Sequence, residues 1–110
     1  MLADWVGGGI DEGQAQEGLG MTYTVVLLRE PKGGYSVMVP ALKGCWTQGE
    51  TVPECLDNAR EAIRGFMASF EKHGETPPPD VTAFNLELDD ALDALVYRVT
   101  VAQEEAAAVA

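Results

Sequence analysis

The stretch 44–66, GCWTQGETVPECLDNAREAIRGF, contains the boundary on which the fold turns. Thr51 stands three residues ahead of Glu54, the spacing of a capping box. There the threonine oxygen takes one free backbone N–H at a helix start, and the glutamate reaches back to another. Pro53 suits the first turn, where its missing N–H costs nothing. Cys55, Ala59, Ile63, Phe66 and Phe70 then recur at three and four residues, one apolar stripe along a helix. Asp57, Arg60, Glu61, Arg64 and Glu71 populate the remaining surface. Lys72 and His73 stand where cations favour a helix C-terminus, and Gly74 supplies the stop. The pattern predicts one long helix.

Upstream of that helix the period changes to two. Tyr23 to Arg29 (YTVVLLR) is rich in β-branched residues and predicts a first strand. Glu30-Pro31-Lys32-Gly33-Gly34 turns the chain into a second strand, Tyr35 to Val39. Tyr35, Val37 and Val39 share one face of it, and Ser36 and Met38 the other. Pro40 and Lys43-Gly44 end that strand, and a third short one is expected from Cys45 to Gln48, with Gly44 and Gly49 permitting the bends. Downstream, Pro77-Pro78-Pro79 predicts a stiff connector. Phe84 to Leu88 fits a short strand or an ordered loop, and 89–93 an acidic turn or a helical turn or two. Leu95 to Val101 (LVYRVTV) alternates as a last strand. The order is β-β-β-α-β, an α+β fold with one long helix packed on one face of a sheet.

The chain has 110 residues, enough for one small domain. Residues 1–20 contain no Lys or Arg, carry the run Gly7-Gly8-Gly9 and show no sustained period, so they read as a flexible N-terminal leader. The domain is expected over 21–103, followed by a tail at 104–110. No apolar run approaches the ~18 residues of a membrane span, and no signal-peptide pattern opens the chain. The two cysteines, Cys45 and Cys55, lack the spacing of a zinc or redox motif and read as reduced thiols of a cytoplasmic protein.

Net charge is −11, with seven Lys and Arg scattered through the sequence. That disfavours a phosphate backbone as ligand and favours encounter with a basic partner, although an acidic surface also serves solubility alone. A cysteine nucleophile needs a base within reach. The only histidine, His73, falls at the far end of a helix that at ~20 residues is ~30 Å long. Glu30, Glu50 and Glu54 gather near strand ends and the helix start, but no interior position of the first three strands carries a carboxylate for a metal. Phosphate-cradling glycine motifs are missing too. The residues therefore point to a non-catalytic binding module without metal or cofactor.

Taken whole, Gly33 to Ile63 (GGYSVMVPALKGCWTQGETVPECLDNAREAI) resembles the HicB-like antitoxin family. The features that carry the resemblance are Gly33-Gly34-Tyr35, Pro40, Leu42, Gly44-Cys45, Thr47, Gly49, Thr51, Glu54, Asn58-Ala59 and Glu61-Ala62-Ile63. Gly74 ahead of the prolines also fits, and the likeness extends over about 21–101. It implies a partial ribonuclease-H-like β-β-β-α-β domain that lacks a working nuclease site. It also implies a small basic HicA-like toxin as partner, an mRNA-cleaving protein whose active surface the antitoxin covers. Homo-oligomers, dimer or tetramer, are implied as well. Cys55 departs from the alanine usual in the family. Many members add a C-terminal DNA-binding domain, whereas the residues after Val101 are acidic and alanine-rich, so this chain is not expected to contact nucleic acid itself.

The partner surface is expected on the exposed sheet face and its turns, at Glu30, Tyr35, Trp46, Gln48 and Glu50, where aromatics anchor and carboxylates meet cations. Tyr35 shares a face with Val37 and Val39 and also suits the core. The direction of Trp46 depends on strand register, and Gln48 also suits a turn. Three functions follow in order: toxin neutralisation by protein contact, a solitary oligomeric structural or regulatory module, and an enzyme acting on nucleic acid.

Overall fold

In the computed structural model, which describes residues 20–102, four strands and one helix follow in the order β1 (Gly20–Arg29), β2 (Tyr35–Met38), β3 (Trp46–Gly49), α1 (Val52–Lys72) and β4 (Asp93–Ala102). All neighbours in the sheet are antiparallel, in the order β3-β2-β1-β4. This is an α+β fold with the expected β-β-β-α-β sequence of elements. The tail at 104–110 and all of the leader but Gly20 lie outside the described residues. Gly20 itself opens β1, opposite Ala102.

The helix packs on one face of the sheet. Tyr23, Val25 and Leu27 of β1 point to it, together with Val37, Val99 and Val101, and meet Cys55, Ala59, Ile63 and Met67. Met67 is a deeper core residue than the two phenylalanines of the expected stripe. Phe66 and Phe70 flank the core half-buried, their ring centroids 6.5 Å apart. The reason is geometric: positions 55, 59, 63 and 67 advance by four residues and stay on one line of the helix, whereas the aromatics sit one residue to its side.

Both helix ends follow their sequence chemistry. Thr51 is extended at φ −127°, and its Oγ1 accepts from the Glu54 amide at 3.3 Å. Glu54 Oε1 accepts from the amide of Glu50 at 3.0 Å, one residue ahead of the cap. At the other end Gly74 adopts φ +67°, and the Glu75 amide donates to the Phe70 carbonyl at 2.8 Å, which closes the helix with a left-handed glycine. Gly44 is likewise left-handed, at φ +84°. Gly49 is different. Its backbone is ordinary, and what it provides is space: a Cβ there would stand 2.8 Å from Cys55 Sγ and 3.1 Å from the Cys55 nitrogen.

The connector from 75 to 92 links the helix to β4 across the sheet. β2 reaches β1 only from Val26 to Arg29, so residues before Val26 have no strand on that side. The connector fills the gap: Tyr23 Oη donates to the Pro78 carbonyl at 2.6 Å, and Asp80 accepts from the amide and hydroxyl of Thr24 at 2.9 and 2.8 Å. It then runs beside the helix-free face, where Leu86, Leu88 and Ala91 line one depression with Leu28. Val26 and Leu28 are consequently buried although they point away from the helix. Residues 84–88 form an ordered loop and no strand, because they lie across a sheet face where no ladder partner is available. The last strand extends beyond the expected 95–101 at both ends, and pairs along the whole of β1.

Candidate protein-docking face

The register assigns each exposed side chain to a face. Val26 opposes Met38, which opposes Trp46; Leu28 opposes Ser36, which opposes Gln48. These residues form the sheet face that the helix leaves open. Trp46 stands there 59% exposed, the most exposed large apolar side chain among the described residues.

Trp46, Met38 and Leu28 form one wall and floor of a groove of about 530 Å³, and the connector from Asn85 to Ala91 forms the other wall. Among the described residues its lining carries four carboxylates, Glu30, Glu87, Asp89 and Asp90, and no Lys, Arg or His. Glu30 is held in place twice over. Ser36 Oγ donates to its Oε2 at 2.7 Å, while its backbone closes the turn through the Gly33 amide and the Gly34 carbonyl, both at 3.0 Å. Asp89 and Asp90 occupy the tip of a tight turn, closed by the Ala91 amide on the Leu88 carbonyl at 2.7 Å, with Asp89 at φ +52°.

A second depression of about 320 Å³ adjoins the first at the β2–β3 end and shares Glu30 and Ser36 with it. Tyr35, Gln48, Glu50 and Glu54 line it. The fold thus gathers Glu30, Tyr35, Gln48 and Glu50 around one hollow and places Trp46 and Glu30 in the lining of the neighbouring groove. Tyr35 lies half-buried on the helix side, its ring against the core. The Gln48 carbonyl accepts from Asn58 Nδ2 at 2.7 Å, a bond that ties β3 to the helix. The connector wall and Met38 are contributions that strand-by-strand reading missed. Only the acidity of 87–90 between leucines hinted at that wall, because its position depends on the route of the chain after the prolines.

Neither thiol faces this surface. Cys45 and Cys55 are buried and free. Burial pushes the Cys45 thiol up, and burial with the charges of Glu54 and Glu50 does the same at Cys55, so both favour the unreactive protonated form. His73 is exposed at the helix C-cap, its Nδ1 2.8 Å from the Ser69 carbonyl. Among the described residues no group of three ligating side chains could hold a metal ion, and no helix is long and apolar enough to cross a membrane. The arrangement is suited to binding protein: an apolar floor, an exposed indole and a rim of one charge sign.

The sequence matches the family described as HicB-like antitoxin of bacterial toxin–antitoxin system over residues 23–106. A UPF0150 protein of Thermoplasma acidophilum is 50% identical over 60 residues, which cover 54% of this chain and 87% of that one. Antitoxin HicB of Escherichia coli is 38% identical over 60 residues, 54% of this chain and 44% of the relative, so the likeness spans under half of that protein. A toxin–antitoxin complex from Streptococcus pneumoniae contains a chain that superposes with a TM-score of 0.65 at 19% identity, over 78% of this chain and 71% of that one. Antitoxin HicB of Burkholderia pseudomallei superposes with a TM-score of 0.53 at 24% identity, over 72% and 61%. With the family profile matched from Tyr23 in β1 through the end of β4, and the fold shared with these solved structures, the chain belongs to the HicB-like antitoxin family.

Proposed function

We propose that this protein is a non-catalytic antitoxin that neutralises a small basic, HicA-like, mRNA-cleaving toxin in the cytoplasm by direct protein contact, without binding nucleic acid itself. The observation that carries the reading is the exposed Trp46 on the helix-free sheet face, in a groove whose lining includes four carboxylates, in a chain of net charge −11. A basic protein is the partner such a surface steers and anchors. Glu30, Tyr35, Trp46, Gln48 and Glu50 are the proposed contact residues. The family's own description, and the buried, protonated state favoured by both thiols, support neutralisation rather than catalysis. Co-expression with the basic product of a neighbouring reading frame tests it. Growth should be restored and a stable complex recovered, and alanine at both Trp46 and Glu50 should weaken that complex. Persistent toxicity with no complex would overturn the proposal.

A second reading, a solitary oligomeric module, draws on β4. This ten-residue edge strand contains no proline, lysine or glycine to discourage pairing, and Val96 is 56% exposed on it. We propose that two copies meet along this edge, whether or not a toxin is present. Light scattering on Val96→Lys should then report a smaller particle than the parent, and an unchanged mass would remove β4 from the interface.

A further inference from the structure

The groove on the outer sheet face is apolar at its floor and acidic at its rim, and those two facts together limit its occupant. Met38 and Trp46 offer carbon surface above the buried Leu28, which favours an apolar side chain. Among the described residues, the rim of Glu30, Glu87, Asp89 and Asp90 contains no compensating cation. The Arg29–Asp93, Arg60–Asp57 and Arg98–Asp80 ion pairs engage none of these four carboxylates. A phosphate-bearing ligand would be repelled, and the carboxylates do not converge as a metal cage does. An exposed indole that shares a groove with four carboxylates, one of them held by Ser36, favours a planar cation: a guanidinium can stack on the ring while its N–H groups reach toward the rim. Glu30 is already oriented by Ser36, so little order is lost when it engages a donor.

We propose that this groove is the docking slot for an arginine-bearing apolar segment of the protein partner. The arginine stacks on Trp46 within reach of Glu30, its apolar neighbours rest on Met38, and the turn at 87–90 closes the far side. The identity of the partner as a toxin rests on the function proposed above; the chemistry of the slot does not.

Trp46 reports its own occupancy. The sequence holds two tryptophans, so Trp5→Phe in the full chain leaves Trp46 as the single indole. The probe is a capped decapeptide of leucine and serine with one central arginine, compared with the same peptide carrying citrulline at that position, which keeps the shape and loses the charge. The arginine peptide should change Trp46 emission saturably, and the citrulline peptide should bind about tenfold more weakly, the scale of one well-placed cation–π contact. The triple variant Glu87→Gln/Asp89→Asn/Asp90→Asn should lose about as much affinity, since asparagine tolerates the left-handed turn at 89 and the melting profile checks the fold. Asp57→Asn/Glu61→Gln/Glu71→Gln on the helix, which removes the same three charges elsewhere, should leave binding within about twofold. Equal binding of both peptides, or an equal loss from the helix variant, would overturn the slot. The two proposals also fail separately. A basic toxin bound equally well by Trp46→Ala sinks the groove and leaves neutralisation standing. Arginine-peptide binding without any toxin complex sinks the toxin and leaves the groove.

Discussion

Asp80 accepts two hydrogen bonds from Thr24, one from its backbone amide at 2.9 Å and one from its hydroxyl at 2.8 Å. A side chain fifty-six residues downstream thereby takes the place of a strand where β2 fails to reach. Arg98 stands 3.6 Å from the same carboxylate, which is only 12% exposed. Removing it with Asp80→Ala would strand the Thr24 amide beneath the connector, a loss of about 2–3 kcal/mol in urea unfolding. Thr24→Val, which deletes only the hydroxyl bond, should cost less, about 1 kcal/mol.

Acid should reveal the same carboxylate. Burial alone would raise its pKa, but the Thr24 amide and hydroxyl, the Val81 amide and Arg98 outweigh burial and hold it below the ordinary carboxylate range. The unfolded chain therefore takes up this proton first as pH falls, and the folded form resists it. The stabilisation is complete above the unfolded value of about 3.9 and disappears as pH drops through the lower folded value. Asp80→Asn should show a shallower loss of stability below pH 4 than the parent. An identical acid limb in both proteins would assign the pH dependence elsewhere.

Tyr23 completes the fastening from the helix side. Its hydroxyl donates to the Pro78 carbonyl at 2.6 Å, and burial, with the nearby charge of Asp80, keeps its pKa above the usual tyrosine value. Since the unfolded phenol ionises near 10 while the folded one holds its proton, the contribution is full below pH 10 and fades as pH rises beyond it. Tyr23→Phe should cost about 1 kcal/mol at neutral pH and flatten the alkaline loss of stability. The measurement is chemical denaturation across pH 8–11 on both proteins.

These contacts mark how far the sequence could be read. The helix was legible because its signals are local: Thr51 and Glu54 at one end, Gly74 at the other, and an apolar stripe between them. Strand alternation gave β1, β2 and β4 to within a few residues, and the glycines and prolines gave the turns. The direction of Trp46 was not local, since it depends on the pairing of Met38 with Trp46 and of Val26 with Met38. Nor was the acidic wall of the groove. Residues 85–91 carry no strong period, and their place is set by Pro78 and Asp80 meeting Tyr23 and Thr24 across more than fifty residues of chain.

Gly49 and Gly65 make a matched pair of opposite sign. A methyl at Gly49 would be forced to 2.8 Å from Cys55 Sγ, so Gly49→Ala should cost about 1–3 kcal/mol as strand and helix are pushed apart. Adding Cys55→Ala should recover part of that loss, because the Cys55 nitrogen at 3.1 Å remains in the way. At exposed Gly65, inside the helix, no atom lies within 4 Å of the added carbon. Gly65→Ala should therefore stabilise by about 0.5–1 kcal/mol through helix propensity alone. Thermal and urea melts of the three variants check both signs.

The two thiols should behave as core groups of a folding unit. Cys45 packs at the loop before β3 and Cys55 on the first turns of the helix, both in the same cluster as Tyr23 and Ile63. A thiol reagent can reach neither without opening the domain, and burial holds each in its protonated form. Modification of the native protein should then be slow for both, and quick once urea exposes them. Asp80→Ala supplies the decisive contrast, since it destabilises the whole unit without touching either cysteine. It should accelerate labelling of Cys45 and Cys55 by similar factors if they are exposed by one global opening. Acceleration at Cys45 alone would instead mean that the 39–45 loop opens separately beside the connector.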